Sequence, residues 1–196
     1  MKNLYIFFDT ETTGLPKDWK APMNQLNNWP RVIQLAWATY DDTGKEIGSK
    51  CDLITPDGWT IPNEKFWIDN GYSTEVNQEK GIPIALAVNH FTEMLAGCHT
   101  LVSHNMSYDY NVLGAEMLRM NIHWSKELKL ICTKEESTDF VKLPGSYGKY
   151  KWPKLSELHQ HLFGTGFENA HDALADVRAC AKCFFDLAKK GVIKLN

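Results

Sequence analysis

The sequence predicts an α/β fold in which helices flank a mixed β-sheet. Three segments near the N-terminus have the apolar, β-branched character of strands, and later segments alternate between helix and strand patterns. Strands that come first and then alternate with helices are typical of a mixed sheet with helices packed on its faces. At 196 residues and without an internal repeat, the chain has the length of one domain. We therefore expect residues 1–196 to form a single domain.

The first three strands are expected at residues 4–8, 31–40 and about 46–54. The first is the apolar run Leu4-Tyr5-Ile6-Phe7-Phe8. Between the second and the third lies the turn Asp41-Asp42-Thr43-Gly44, which is a hairpin signal. These two strands are therefore predicted to be antiparallel neighbours.

The rest of the chain alternates between helix and strand. Pro83 at a helix start and Gly97 just past its end delimit the first predicted helix, residues 83–96. The spacing of apolar residues predicts the later elements, which are a strand at 99–103, a helix at 107–120, a strand at 128–132 and helices at 154–163 and about 172–190.

Two carboxylates, Asp9 and Glu11, stand one residue apart at the end of the first strand. Residues two apart in a strand point to the same face, so both acids can project toward one cation. Their oxygen ligands would select magnesium or manganese. The alternative is a strand end that turns into a loop and carries two solvated acids.

Directly after this pair, residues 16–31 form a connection without periodicity that contains three prolines, Trp19 and Trp29. A connection of this length is more often functional than neutral, so we expect an elaborated loop beside the acids. A second weakly patterned stretch, residues 56–72, is expected either to cover the core or to line the rim of the site.

Three further residues could complete the acid pair. Asp109 follows the strand at 99–103, and His171 and Asp176 stand near the start of the last helix. Each has an ordinary structural explanation, because acids such as Asp109, Asp172 or Asp176 are favoured in the first turn of a helix by its dipole. His171 alone would more often be a helix-end residue than a catalytic one.

The composition of the chain limits the classes of protein to which it can belong. The chain carries 21 basic and 24 acidic residues, a net charge of −3, which by itself does not indicate a nucleic-acid-binding protein. Its five cysteines are scattered, which argues against a disulfide framework and agrees with a reducing compartment. No apolar run approaches the roughly 20 residues of a membrane span, and no secretory signal is evident. We therefore expect a cytoplasmic protein without a membrane partner.

Local charge is more informative than net charge at residues 142–154. This segment holds four lysines and no acid, together with Tyr147, Tyr150 and Trp152. Such a segment could hold phosphates with its lysines and stack bases on its aromatic rings. The alternative is a solvated loop broken by glycine and proline.

Three segments together resemble the motifs of a known family. The stretch Phe8-Asp9-Thr10-Glu11-Thr12-Thr13-Gly14-Leu15-Pro16 resembles the first motif of the DnaQ-like, or DEDDh, 3′→5′ exonucleases, a family that includes polymerase proofreading domains. His104-Asn105-Met106-Ser107-Tyr108-Asp109 is similar to the second motif, and His171-Asp172-Ala173-Leu174-Ala175-Asp176 to the third. The order and approximate spacing also match, and the resemblance covers almost the whole chain.

The resemblance implies a ribonuclease-H-like fold and hydrolysis of phosphodiester bonds with two Mg²⁺ or Mn²⁺ ions. Asp9 would bridge both ions, Glu11 and Asp176 would complete one site, and Asp109 would hold the second ion. His171 would act as general base on the attacking water. The residues implied to contact the 3′-terminal nucleotide are Thr12, Thr13, Gly14, Leu15 and Asn105, although Asn105 could equally cap the following helix.

We therefore expect release of nucleoside 5′-monophosphates from a single-stranded 3′ end of DNA. Trimming of RNA ends is an alternative, because contacts to 2′-hydroxyls are not visible in a sequence. A second alternative is a degenerate domain that binds nucleic acid without cleaving it. The resemblance also allows a polymerase or a second copy of the chain as partner, and the sequence does not choose between them.

Overall fold

The computed structural model describes residues 4–95, 97–98, 100–124, 128–167 and 172–195. Its centre is a five-stranded sheet in the order β3-β2-β1-β4-β5. The strands are β1 (Leu4–Thr12), β2 (Val32–Asp41), β3 (Glu46–Leu53), β4 (Thr100–Ser103) and β5 (Lys129–Cys132). The first three form antiparallel pairs, whereas β4 pairs parallel to β1 and β5 parallel to β4. The predicted mixed sheet and its hairpin are confirmed.

Eight helices are described. They are α1 (Lys65–Asp69), α2 (Thr74–Lys80), α3 (Ile84–Leu95), α4 (Met106–Arg119), α5 (Thr133–Glu136), α6 (Thr138–Val141), α7 (Leu155–Phe163) and α8 (Ala173–Lys189). The four longest were predicted within a few residues of these bounds, although Ala96 and His99 at predicted element ends lie outside the described residues. The part of the chain that the structure describes has no helix long and apolar enough to cross a bilayer.

The four short helices, α1, α2, α5 and α6, were not predicted, because a segment of four to seven residues is too short to establish an apolar period. Local polar contacts define α2 instead. The Ser73 hydroxyl accepts a hydrogen bond from the Val76 N–H (3.1 Å) at its start. Farther along the helix, the buried Asn77 amide donates to the carbonyls of Ile33 (2.8 Å) and Ile54 (3.1 Å). The weakly patterned stretch at 56–72 therefore leads into a helix fastened to the sheet.

Alternating residues of β1 serve two different cores. Ile6 and Phe8 belong to the core on the side of α3 and α4, where the Phe8 and Phe91 rings are 5.4 Å apart. Tyr5 and Phe7 belong to the core under α8. Because side chains alternate along a strand, residues 9 and 11 continue the α8 side and residue 10 continues the α4 side. The strand thus delivers Asp9 and Glu11 to one face at its carboxyl end.

Candidate active site

Three carboxylates meet where β1 ends beneath α8. One oxygen each from Asp9, Glu11 and Asp176 lies within 4.8 Å of the other two, and all three residues are partly buried. Hard oxygen ligands at this spacing suit a divalent cation such as Mg²⁺ or Mn²⁺. The structure therefore brings together three of the four acids predicted to bind metal, and the alternative of unrelated solvated acids does not describe them.

The N-terminus of α8 is fixed by two hydrogen bonds that place Asp176 in its first turn. The Asp172 carboxylate caps the helix by accepting from the Ala175 N–H (3.0 Å), which is the structural role expected for an acid there. The Ala173 N–H donates to the Gln34 side-chain carbonyl of β2 (3.0 Å). Since Gln34 pairs with Glu11 across the sheet, the same contact ties the helix to the strand that carries the acid pair.

Asp109 approaches the end of β1 from the α4 side. It is 2% exposed, and its Oδ1 accepts from the Thr10 N–H (3.2 Å) and the Thr10 hydroxyl (2.8 Å). Its Oδ2 accepts from the Ser103 hydroxyl (2.6 Å). Asp109 does not belong to the group of three within 4.8 Å. Its role as a fourth ligand stays a prediction.

The acids raise one another's affinity for protons. Burial raises the pKa of Asp9 well above its usual range, and the charges of Asp109, Glu11 and Asp176 raise it further. Burial also raises the pKa of Glu11, with the Asp176 charge next in importance. The pKa of Asp109 is raised by burial and lowered in part by hydrogen bonds from Ser103 and Thr10. A cluster of this kind needs a counter-charge at neutral pH, and a divalent cation would supply one.

A family comparison decides which class of protein carries this cluster. The family model RNase_T, described as an exonuclease, matches residues 6–184. The chain belongs to this exonuclease family. The resemblance to DnaQ-like exonucleases that the three motifs suggested is therefore confirmed. A comparison with curated protein sequences gives no significant match.

Solved structures of exonucleases share the fold. E. coli exonuclease I bound to a dT13 oligonucleotide matches with a TM-score of 0.73 and 19% identity over 95% of this chain. Exonuclease I from Methylocaldum szegediense matches with a TM-score of 0.71 and 20% identity over 96% of it. This chain spans 41% of the length of each of those chains. The likeness confirms the predicted ribonuclease-H-like fold.

Four of the five predicted nucleotide-binding residues, Thr12 to Leu15, lie at or just after the end of β1, where structural hydrogen bonds hold their backbone. The Tyr108 hydroxyl donates to the Gly14 carbonyl (2.7 Å), and the Trp67 indole N–H donates to the Thr12 carbonyl (2.9 Å). Gly14 has φ of +149°, a conformation that favours glycine. The Leu15 side chain is 72% exposed. A fixed backbone that presents one open apolar side chain suits contact with a terminal base.

The elaborated connection predicted after the acids is held against α4, and we call residues 13–31 the clamped loop. Its two ends are joined, because the Thr13 N–H donates to the Arg31 carbonyl (2.9 Å) and the Arg31 N–H donates to the Thr13 hydroxyl (3.0 Å). The Arg31 guanidinium forms two hydrogen bonds with Glu116, of 2.8 and 3.2 Å. Arg119 donates to the carbonyls of Leu26 (2.7 Å) and Trp29 (2.9 Å).

Asn105 occupies the N-cap position of α4, but its side chain makes no capping hydrogen bond. Its Oδ1 instead accepts from the Lys134 ammonium (2.6 Å). The alternative that its side chain caps the helix is therefore wrong, and contact with substrate stays a prediction. His171, the predicted general base, lies outside the described residues, so its position relative to the acids also stays a prediction.

Sequence reasoning missed three residues that shape this site: Trp67, Tyr108 and Lys134. Tyr108 stands next to Asp109 in the second motif, and that adjacency was its only signal. Trp67 belonged to a stretch expected either to cover the core or to line a rim, and nothing in the sequence indicated a partner for it. Lys134 had no signal, because its contact with Asn105 joins residues 29 positions apart.

Proposed function

We propose that this chain is a metal-dependent 3′→5′ exonuclease that acts on single-stranded DNA and releases nucleoside 5′-monophosphates. The observation that carries the proposal is the cluster of Asp9, Glu11 and Asp176 in a chain of the exonuclease family. Support for the substrate comes from structures of E. coli exonuclease I, which has been solved with dT13 and with dA16 oligonucleotides and has the same fold.

The proposed cofactors are two Mg²⁺ or Mn²⁺ ions. Asp9, Glu11 and Asp176 would hold one ion, with Asp9 shared by the second ion together with Asp109. Four carboxylates would then balance two dications, which agrees with the raised pKa values of Asp9, Glu11 and Asp109. When bound, such ions neutralise charge and act as Lewis acids at a phosphodiester.

The chain's own residues would position the strand and move the proton. The backbone of residues 12–14 would hold the 3′-terminal nucleotide, with Leu15 against its base and Asn105 beside it. His171 would accept a proton from the attacking water while that water's oxygen forms a bond to phosphorus. The bond from phosphorus to the 3′ oxygen breaks with its electron pair going to that oxygen, which takes a proton from solvent and becomes the new 3′-hydroxyl of the shortened strand.

We also propose that residues 1–196 act as one exonuclease domain. None of the five cysteines, all of which lie within the described residues, forms a disulfide, which agrees with a reducing compartment such as the cytoplasm. A polymerase or a second copy of the chain remains a candidate partner, and the oligomeric state in solution, measured by light scattering with and without a single strand, tests the second of these.

The test compares 5′-labelled single-stranded DNA, duplex DNA and RNA with Mg²⁺, Mn²⁺ or a chelator. We expect a ladder that shortens from the 3′ end of single-stranded DNA only when a metal is present. Asp9→Asn and Asp176→Asn should abolish it. His171→Ala should lower the rate about 100- to 10,000-fold, the range for a general base.

Asp186→Asn is the matched control for Asp176→Asn, since both acids lie on α8 about 15 Å apart along its axis. Asp186 pairs with Lys190 (3.2 Å), so this variant should cleave like wild type. Faster shortening of RNA than of DNA would favour the RNA-trimming alternative. Binding without cleavage under every metal condition would favour a non-catalytic module, and a wild-type rate at pH 7 to 8 for His171→Ala would refute the base.

A further inference from the structure

A second feature adjoins the acid cluster, a groove of about 510 Å³ most of whose lining has no role in the proposed reaction. We call it the side groove and define it by Asn105, Lys134, Trp152, Lys154, Phe167 and Asp176. Asp176 belongs to the acid cluster, so the groove is continuous with the candidate active site. It is also the only acid among the described residues that line the groove.

Lys134 has a fixed position in this groove. Its ammonium donates to the Asn105 Oδ1 (2.6 Å) and lies 4.3 Å from the centre of the Trp152 ring. An ammonium has three N–H donors, so two remain after the bond to Asn105. A cation over an aromatic face is attracted by the ring. The two contacts together place a positive charge in the groove that Asp176 also lines.

Trp152 is anchored through its neighbour, although the ring itself is open. The Pro153 carbonyl lies 3.0 Å from the His104 Nε2, whose other ring nitrogen lies 2.9 Å from the Thr133 hydroxyl. The Trp152 side chain is nevertheless 61% exposed. An indole held in place by its backbone and open to solvent is a platform on which a base can stack.

Other residues of the segment 142–154 lie outside the side groove. Lys151 forms an ion pair with Glu157 (2.5 Å), and Tyr147 is fully exposed and does not line the groove. The side groove therefore does not use every lysine and aromatic residue of this segment. It combines two residues of the segment, Trp152 and Lys154, with Lys134 from α5.

We propose that the side groove binds the single strand on the 5′ side of the scissile phosphate, with Lys134 on a backbone phosphate and a base stacked on Trp152. The inference rests on the proposed function, in which residues 12–15 and Asn105 contact the 3′-terminal nucleotide. Asn105 and Asp176 also line the groove, so the groove adjoins both that nucleotide and the acids. A strand that passes the acids then continues into the groove. Stacking and phosphate contacts accept any base, so the groove contributes affinity without sequence preference.

The test measures binding without hydrolysis, on the full chain carrying Asp9→Asn, by the fluorescence anisotropy of 5′-labelled dT12 with Mg²⁺ present. In this background Trp152→Ala should raise Kd about 5- to 150-fold, the range for losing one stacked base. Trp152→Phe should restore most of the affinity. Lys134→Ala should lower the slope of log Kd against log salt by about 0.7, the value for one phosphate contact on a single strand.

Two matched controls come from the same segment. Tyr147→Ala and Lys149→Ala remove an aromatic ring and a lysine outside the groove lining, and both should leave Kd unchanged. In the chain with Asp9 restored, Trp152→Ala should raise KM and leave kcat nearly constant. This split distinguishes strand binding from a general effect on folding or on the acids.

The inference is overturned if Trp152→Ala and Lys134→Ala bind dT12 as tightly as their parent, while wild type still shortens the strand. It is also overturned if Tyr147→Ala weakens binding as much as Trp152→Ala, since the whole loop would then be the binding element. Failure of the proposed function looks different, because wild type would release no nucleotide from any strand with either metal.

Discussion

Two irregular segments lie near the acid cluster, and they differ in the partners that hold them and in how far their aromatic side chains are exposed. The clamped loop, residues 13–31, is joined at its ends by hydrogen bonds between Thr13 and Arg31, and Arg119 holds it at Leu26 and Trp29. Residues 142–154 form an open segment, with Tyr147, Tyr150 and Trp152 exposed by 101%, 45% and 61%. Both segments lack a helical or strand period, so periodicity did not separate them.

The difference lies in the partners available to each segment. The clamped loop rests against α4, which supplies a buried carboxylate, a guanidinium and the Tyr108 hydroxyl. The open segment is bonded mainly to itself, since the Lys151 N–H donates to the Leu143 carbonyl (3.0 Å) and the Gly145 N–H donates to the Lys149 carbonyl (3.0 Å). Outside the segment, its Lys151 and Lys154 contact Glu157. A fixed loop suits the terminal nucleotide, whose geometry decides which bond is cut. An open aromatic segment suits a strand of any sequence.

The largest expected effect comes from removing the anchor of the clamped loop. Glu116 is 1% exposed and accepts from Arg31 and from the Val32 N–H (3.0 Å), with Arg119 3.3 Å away. Glu116→Ala leaves two guanidiniums without their shared carboxylate, so we expect the free energy of unfolding to fall by about 3–5 kcal/mol. Urea denaturation measures this change.

Glu116→Gln is its matched control, because it keeps an oxygen acceptor and loses the charge. We expect a smaller loss than for Glu116→Ala. A loss below about 1 kcal/mol for Glu116→Ala, the scale of an ordinary surface ion pair, would show that the loop does not depend on this anchor.

A smaller effect concerns His104, whose Nε2 lies 3.0 Å from the Pro153 carbonyl near the end of the open segment. Burial lowers the pKa of His104 to about 4, below its value of about 6.5 in an unfolded chain. The folded state therefore binds fewer protons than the unfolded state between these values, and the stability contributed by neutral His104 is lost as pH falls from 6.5 toward 4. We expect a loss of about 1–2 kcal/mol between pH 7.5 and pH 5.

The comparison with His104→Gln isolates this effect, because glutamine at position 104 does not titrate. The acid cluster is present in both proteins, so its titration cancels in the comparison. The stability difference between wild type and variant should shrink as pH falls. A difference that stays constant from pH 7.5 to pH 5 would contradict a neutral, buried His104.

The smallest effect tests the contact between α4 and the nucleotide-binding backbone at residues 12–14. Tyr108→Phe removes the hydroxyl that donates to the Gly14 carbonyl (2.7 Å) and lies 2.6 Å from the Thr12 hydroxyl. We expect a loss of about 1 kcal/mol in the free energy of unfolding. Thermal denaturation measures it, and kcat/KM on single-stranded DNA should fall about fivefold if the same free energy is lost in the transition state. Unchanged kcat/KM would mean that the backbone at residues 12–14 does not contact the nucleotide.

The sequence by itself determined the features that depend on local geometry. The alternation of side chains along β1 placed Asp9 and Glu11 on one face, and the hairpin turn at residues 41–44 paired β2 with β3. Motif order placed Asp176 in the first turn of a long helix. These features could be predicted because strand period, turn chemistry and helix signals act over a few neighbouring residues.

Only the tertiary structure determined which residues far apart in the sequence contact one another. Thr10 meets Asp109 across 99 positions, and Arg31 meets Glu116 across 85, so neither contact has a local pattern. Likewise, the Asn105 side chain accepts a hydrogen bond from Lys134 and does not cap α4. Hydrogen bonds of buried polar groups must be satisfied by whatever the fold brings near. Folding therefore decided which loop is clamped and which stays open.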